Sequence, residues 1–384
     1  MSKNFQTAND ENLANIANWK ISPFSRWAFH HVHQLIPTIA IENDIHQINF
    51  LKKASKSIKG IILKLLLKAT ATDAIVILHE GKIVYESYKN GNNEHTRHIL
   101  MSATKAVVGL IAGILEYQGD IDLSISVSSY IPQTSGTVYQ DITLRQLLDM
   151  QSGVEFDEDQ QKHYDISTNW EPVPEGYKPG NLHEFYTSLK HSGKSNHGYF
   201  SYVSANTDLL GWAMESATGK TFNSLLSDLL WKPMGAEKDA CLTVDIDGFP
   251  RCTGGLCTTA RDFALIGQLI ADGGVRHSKQ IIPLSVIEDI TNNGDSNAWE
   301  KGQWGKAFAP ISKNMNYRSG WYLMNDKPRL MFAMGIYGQN LFVDRTNNIV
   351  IAKFSSWKKP TDYIALPLTH LMVKRVRKLL NKGL

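Results

Sequence analysis

Ser102 and Lys105 stand three residues apart in HILMSATKAVVGLIAGILEYQG, residues 98–119, where a long apolar run begins. A serine hydroxyl is a weak nucleophile until a neighbouring base takes its proton. A lysine can be that base only when neutral, and burial in apolar surroundings drives its pKa towards that state. Residues at i and i+3 of a helix face the same side. The run behind them, AVVGLIAGIL, is apolar all round, which predicts a buried helix with both side chains at its tip, aimed into one cleft. Gly109, Ala112 and Gly113 would let neighbours pack closely on it. The start of such a helix also offers the Ser102 backbone N–H to a developing oxyanion. The alternative is a capping serine beside a solvated lysine.

The pair alone is weak. With 29 serines and 29 lysines in 384 residues, about two Ser-x-x-Lys matches arise by chance, and three occur. Ser355–Lys358 and Ser356–Lys359 precede Pro360, where no helix continues, so context singles out the first match.

The elements that would position it can be read around it. TDAIVILHEGKIVYESY, 72–88, reads as two strands about the turn HEG. Residues 320–356 read as strands parted by the turn signals NDKP and DRTNN. Between them lie helical patterns, including TLRQLLDM, NTDLLGWAMESATG and TARDFALIGQLIADGG, and the chain closes on a further one, TDYIALPLTHLMVKRVRKLL. This order predicts an α+β fold. Its antiparallel sheet brings the first and last strands together, with helices on its flanks and an all-α lobe inserted in the chain. Residues 154–180 lack periodicity and read as a long loop, seven acids against Lys162 and Lys178, either a solvated surface connection or a lid over the cleft.

Composition bounds the rest. Forty Lys and Arg against 37 Asp and Glu is too balanced to imply nucleic acid or an anionic membrane as partner. The basic end VKRVRKLLNKGL reads as the solvated face of a last helix, and IKGIILKLLLKA as an amphipathic helix. Three cysteines, Cys241, Cys252 and Cys257, do not make a disulfide framework and fit a reducing compartment. The polar first residues lack the apolar core of a signal peptide, and a cytoplasmic protein is expected. His30, His31 and His33 could suggest a metal, but no carboxylate or cysteine cluster accompanies them, and neither metal nor cofactor is expected.

FSYVSANTDLLGW, 200–212, adds a resemblance. A Tyr-x-Asn or Tyr-x-Ser element about a hundred residues after a Ser-x-x-Lys helix resembles the serine β-lactamase-like fold of class C β-lactamases, D-Ala-D-Ala carboxypeptidases and esterases. Tyr202 and Ser204 occupy those positions, and the resemblance implies that Tyr202 shares proton transfer with Lys105. The family's Lys/His-Thr/Ser-Gly element has a decoy in His191–Gly193, which precedes Tyr202. Its better counterpart is AMGIYGQN, 333–340, which puts Ala333, Met334 and Gly335 at those positions and implies Ile336 as the second oxyanion N–H. The cation that would meet a substrate carboxylate is missing there.

NWKISPFSRWAFHHVHQLIPT, LLDMQSGVEFDED, RCTGGLCTTARDFALIGQLI and GIYGQ narrow the resemblance to the 6-aminohexanoate-dimer hydrolase branch and its carboxylesterase relatives. It implies an α/β lobe from 1–130 and 241–384, a mainly helical lobe from 131–240, and an active site between them. It implies a serine hydrolase that cleaves a small amide or ester through an acyl-enzyme. Ser102, Lys105 and Tyr202 would be catalytic, and Tyr164, Trp170, Ser204, Gly335 and Tyr337 would contact substrate. A homodimer is left open. The rivals are a β-lactamase or D-Ala-D-Ala carboxypeptidase-like enzyme, and a catalytically silent peptide-binding sensor of the same fold.

Overall fold

The computed structural model describes residues 13–190 and 198–382. Its scaffold is an eight-stranded sheet. We label seven of its strands β1 Thr72–His79, β2 Lys82–Tyr88, β3 Met315–Arg318, β4 Trp321–Met324, β5 Leu330–Gly335, β6 Gln339–Asp344 and β7 Ile349–Ser355. The order across the sheet is β3-β4-β5-β6-β7-β1-β2, and the short strand Lys52–Lys53 closes the far edge, parallel to β2. Every other pairing is antiparallel. The first long strand and the last meet at the centre, with Val76 opposite Ala352 and Ile77 opposite Ile351. Both are buried on each face, so they read as continuous Val/Ile runs.

Six helices matter here: α1 Ile61–Ala69, α2 Thr104–Gln118, α3 Glu158–Ser167, α4 Ala205–Thr218, α5 Ala260–Ala271 and α6 Ala365–Leu380. One sheet face packs Val76, Leu78, Leu341, Val350 and Ala352 against α2, α5 and the helical region beyond, in one continuous apolar cluster. The other packs Ile75, Ile77, Phe332, Phe342 and Ile351 under α1 and α6. The sheet is thus the middle layer of three.

The apolar stretch behind Ser102 becomes α2, whose first twelve residues, Thr104 to Leu115, are all buried. Gly119, at φ 80°, ends it in the left-handed conformation that suits glycine. Gly109 is where the sheet reaches the helix: a Cβ there would lie 1.9 Å from the Ser319 carbonyl oxygen. The segment 154–180 departs from expectation. It contains α3, opened by a capping box in which Asp157 accepts from the Gln160 N–H and Gln160 accepts from the Asp157 N–H. Because α3 buries only Tyr164, Ile166 and Ser167, a polar surface obscures its period.

Gly109→Ala should therefore force α2 off the β3–β4 turn. We expect a stability loss of about 1–3 kcal/mol or more, as for overpacked cores, read from the urea midpoint at unchanged m. A midpoint equal to wild type would show that the helix relaxes freely at this position.

Candidate active site

The chain enters α2 through a tight 3-10 turn, Met101–Ala103. Met101 has φ 49°, an unusual value for a side chain of this size, and the turn carries Ser102 out to the cleft. Ser102 makes no side-chain cap, which removes the capping alternative. Lys105 is only 2 % exposed, which removes the solvated lysine.

The Lys105 amine lies 3.0 Å from Ser102 Oγ and donates to the Thr253 carbonyl at 2.8 Å. Burial holds its pKa well below the ordinary lysine value, and the Arg251 charge lowers it further against an opposing pull from Asp208. With one N–H committed to Thr253, the amine in its neutral form can turn its lone pair to the serine proton.

Tyr202 sits across the cleft. Its ring centroid is 5.0 Å from the Lys105 amine and it stacks on Trp304 at 4.5 Å. Its backbone N–H donates to Gln303 Oε1 at 3.0 Å. Burial raises the phenol pKa, and hydrogen bonding with Ser102 and Ser204 only partly offsets that. The hydroxyl therefore keeps its proton at neutral pH. Ser204 opens α4, and its carbonyl accepts from the Thr253 hydroxyl, so the turn that holds Lys105 is tied to the irregular segment that carries Tyr202.

Gly335 ends β5 against the Ser102 turn, where a Cβ would lie 2.3 Å from the Leu100 oxygen and 3.1 Å from the Ser102 nitrogen. Ile336 follows it on the cleft wall. Ser102 and Ile336 thus line the same cleft. Ala333 and Met334 leave β5 without a cationic side chain, as read from the sequence.

A cavity of about 520 Å³ opens over these groups. Tyr164, Trp170 and Ser204 line it with Ser102, Tyr202 and Ile336. Tyr164 is itself anchored, its hydroxyl donating to Asp208 at 2.7 Å, and Trp170 Nε1 donates to Thr243 at 3.1 Å. Tyr337 is not brought there. It is buried beside Phe29 at φ 63°, with its N–H on the Pro360 carbonyl, because the β5–β6 turn swings its ring away from the cleft. His191–Gly193 lie outside the described residues. His31 stacks on Trp27, and no metal-binding cluster occurs among the described residues.

Four groups escaped the sequence reading: Asp208, Arg251, Thr253 and Gln303. Arg251 and Asp208 form an ion pair with the two side chains 4 % and 1 % exposed, and the guanidinium lies over the rings of Tyr164 and Trp170. Asp208 also accepts the Thr253 N–H at 2.7 Å. A signal did exist. An arginine set among small and apolar residues in FPRCTGGLC must be paired if buried.

The β-lactamase family model matches residues 65–370. The 6-aminohexanoate-dimer hydrolase of Paenarthrobacter ureafaciens is 32% identical over 354 residues, which is 89% of this chain and 88% of that protein. A Bacillus anthracis structure, provisionally described as a 6-aminohexanoate-dimer hydrolase, superposes with TM-score 0.87 at 28% identity, over 97% of this chain and 98% of that one. A class C β-lactamase from Rhodobacter sphaeroides shares the fold at TM-score 0.59 and 14% identity, over 82% and 98% of the two chains.

Asp208→Asn would leave Arg251 buried without its counter-charge. Breaking one partner of such a pair costs roughly 3–5 kcal/mol, so the urea midpoint should fall sharply at unchanged m. A variant within about 1 kcal/mol of wild type would mean that the pair is not what holds the 251–255 turn under Lys105.

Proposed function

Because this chain belongs to the β-lactamase family, we propose that it is a serine hydrolase that cleaves a small amide or ester through an acyl-enzyme. One observation carries the reading: a buried amine, held below its ordinary pKa, 3.0 Å from a serine hydroxyl at the mouth of a cleft.

In the proposed mechanism Ser102 Oγ attacks the substrate carbonyl as its proton passes to the neutral Lys105 amine. The backbone N–H groups of Ser102 and Ile336 receive the oxyanion. The protonated lysine and the Tyr202 hydroxyl together return a proton to the leaving amine or alcohol. Tyr202 gives its own and regains one from Lys105. Water then enters, loses a proton to the same pair and releases Ser102. The two lobes proposed from the sequence would meet at this cleft.

Two features support an amide or ester over a β-lactam or a peptide ending in D-alanine. Strand β5 offers Ala333 and Met334 where a substrate carboxylate would need a cation. The cavity wall also carries Glu155 and Asp165, while Lys20 on that wall is spent on Glu171. These favour a substrate bearing a free amine, as in short amino-acyl amides. The three cysteines are free and buried, which fits a reducing compartment.

Turnover of short p-nitrophenyl esters and amino-acid amides, set against nitrocefin, tests the reading. Ester or amide turnover without nitrocefin turnover is expected, and nitrocefin as the best substrate would overturn it. Ser102→Ala should remove turnover with little change in melting, since it makes no cap. Residual activity above about a hundredth of wild type would contradict the nucleophile. Tyr202→Phe should lower kcat about 10²-fold with a smaller change in KM. A change in KM alone would make Tyr202 a binding residue.

The sign of the pH dependence follows from Lys105. Protonated, it cannot take the serine proton, so kcat/KM should climb as pH rises through its lowered pKa. That limb should lie well below the ordinary lysine value of 10.5. A profile that begins to rise only near that value would contradict a neutral lysine base.

A further inference from the structure

Charge is segregated in this protein. Residues 51–72 carry six lysines and no acid, and residues 363–382 carry five lysines and arginines and no acid. Those two stretches hold 11 of the 40 cationic residues, leaving 29 against 37 acids elsewhere. The near-neutral total averages over this contrast, which is why the sequence reading expected no anionic surface as partner.

The fold puts the two stretches together. Helices α1 and α6 pack against each other on one face of the sheet. Leu63 and Leu67 of α1 point inward with Met372, Val373, Val376 and Leu380 of α6. Their opposite sides therefore both face away from the sheet. On α1 that side exposes Ile61, Ile62 and Leu65, at 73 %, 51 % and 59 %, among Lys59, Lys64 and Lys68. On α6 it exposes Leu371 and Leu379 among Lys374, Arg375 and Lys378. Among the described residues none of these six cations forms an ion pair, whereas Lys53 and Arg377 nearby are paired with Glu86 and Asp344. Beside α6, a groove of about 740 Å³ continues the surface, with Leu371, Met324 and Leu330 next to Lys327, Lys374 and Lys378.

We propose that the α1–α6 face is a docking surface for an anionic lipid bilayer. The lysines and Arg375 would meet lipid phosphates, and Ile61, Ile62 and Leu65 would enter the boundary between headgroups and acyl chains. Attachment is peripheral, for no helix among the described residues is long and apolar enough to cross a membrane. Two other occupants fit less well. A second copy docked by two-fold symmetry would set these lysines against themselves. An acidic protein would match the lysines but gives no reason for exposed aliphatic residues between them.

The test is co-sedimentation of the full chain with vesicles of phosphatidylcholine alone and of phosphatidylcholine mixed equally with phosphatidylglycerol. Two double variants, Ile61→Ser with Leu65→Ser and Lys64→Glu with Lys68→Glu, are compared with wild type. None of these residues touches the cleft, so unchanged ester turnover certifies the fold. If either pair fails to fold, Lys374→Glu with Lys378→Glu replaces the charge pair and Ile62→Ser the aliphatic one. Wild type should bind the anionic vesicles roughly tenfold more than the neutral ones, and either kind of variant should lose most of that binding. Binding should also fall steeply with added salt. No binding, or equal binding to both vesicles, would overturn the proposal. So would loss in the charge variant alone, since that marks a surface that reads charge without lipid and suits an acidic protein. Neither outcome bears on the hydrolase assignment.

Discussion

The groups packed around Lys105 hold its amine out of water. A lysine buried this deeply is stable only if it sheds its proton or gains a counter-charge, because desolvation penalises the ammonium form. Its surroundings supply a hydrogen-bond acceptor, the Thr253 carbonyl, in place of a paired carboxylate. The helix that carries it is buried from Thr104 to Leu115. Trp321 of β4 donates its indole N–H to the Ala106 carbonyl, and Gly109 lets the β3–β4 turn close on the helix. The sheet, through that turn, fixes where the amine can be.

The ion pair of Asp208 and Arg251 extends the same constraint outward. Asp208 holds the Thr253 N–H, and Thr253 holds both Lys105 and the Ser204 carbonyl. Arg251 supplies a positive charge that disfavours a second one at Lys105. Its guanidinium lies over Tyr164 and Trp170, and Trp170 is in turn braced by Trp19, whose indole donates to the Trp170 carbonyl. The segment 154–180, which reads as a loose acidic lid, is thus built on a capped helix and pinned at Trp170. Any closure over the substrate would have to come from the parts of it between these anchors.

What was legible in the sequence was what repeats or alternates. The Val/Ile runs at 72–88 and 320–356 announce strands, and the apolar run behind Ser102 announces a buried helix. Their meeting at β1 and β7 follows from their places at either end of the helices. Helix α3 was hidden because its buried face is short and polar at one end, though Asp157 and Gln160 carry the capping signal. Tyr337 misled because a resemblance places residues along the chain and says nothing of a turn at φ 63°, which sends its ring to the core. Arg251 and Asp208 lie 43 residues apart in the chain and show no common pattern. Only packing reveals that each is the other's reason for being buried. The net charge is equally silent on where charge sits, since a sum over the chain erases the contrast that α1 and α6 create on one face.

Titration of the lysine Nζ or Cε resonances by NMR, with Lys105 assigned through Lys105→Arg, tests the central claim most directly. The account predicts that one lysine signal, lost in that variant, titrates well below all exposed lysines and is already that of a neutral amine under conditions of turnover. A Lys105 signal that titrates with the exposed lysines near their ordinary value of 10.5 would contradict it, whatever the protein is found to hydrolyse.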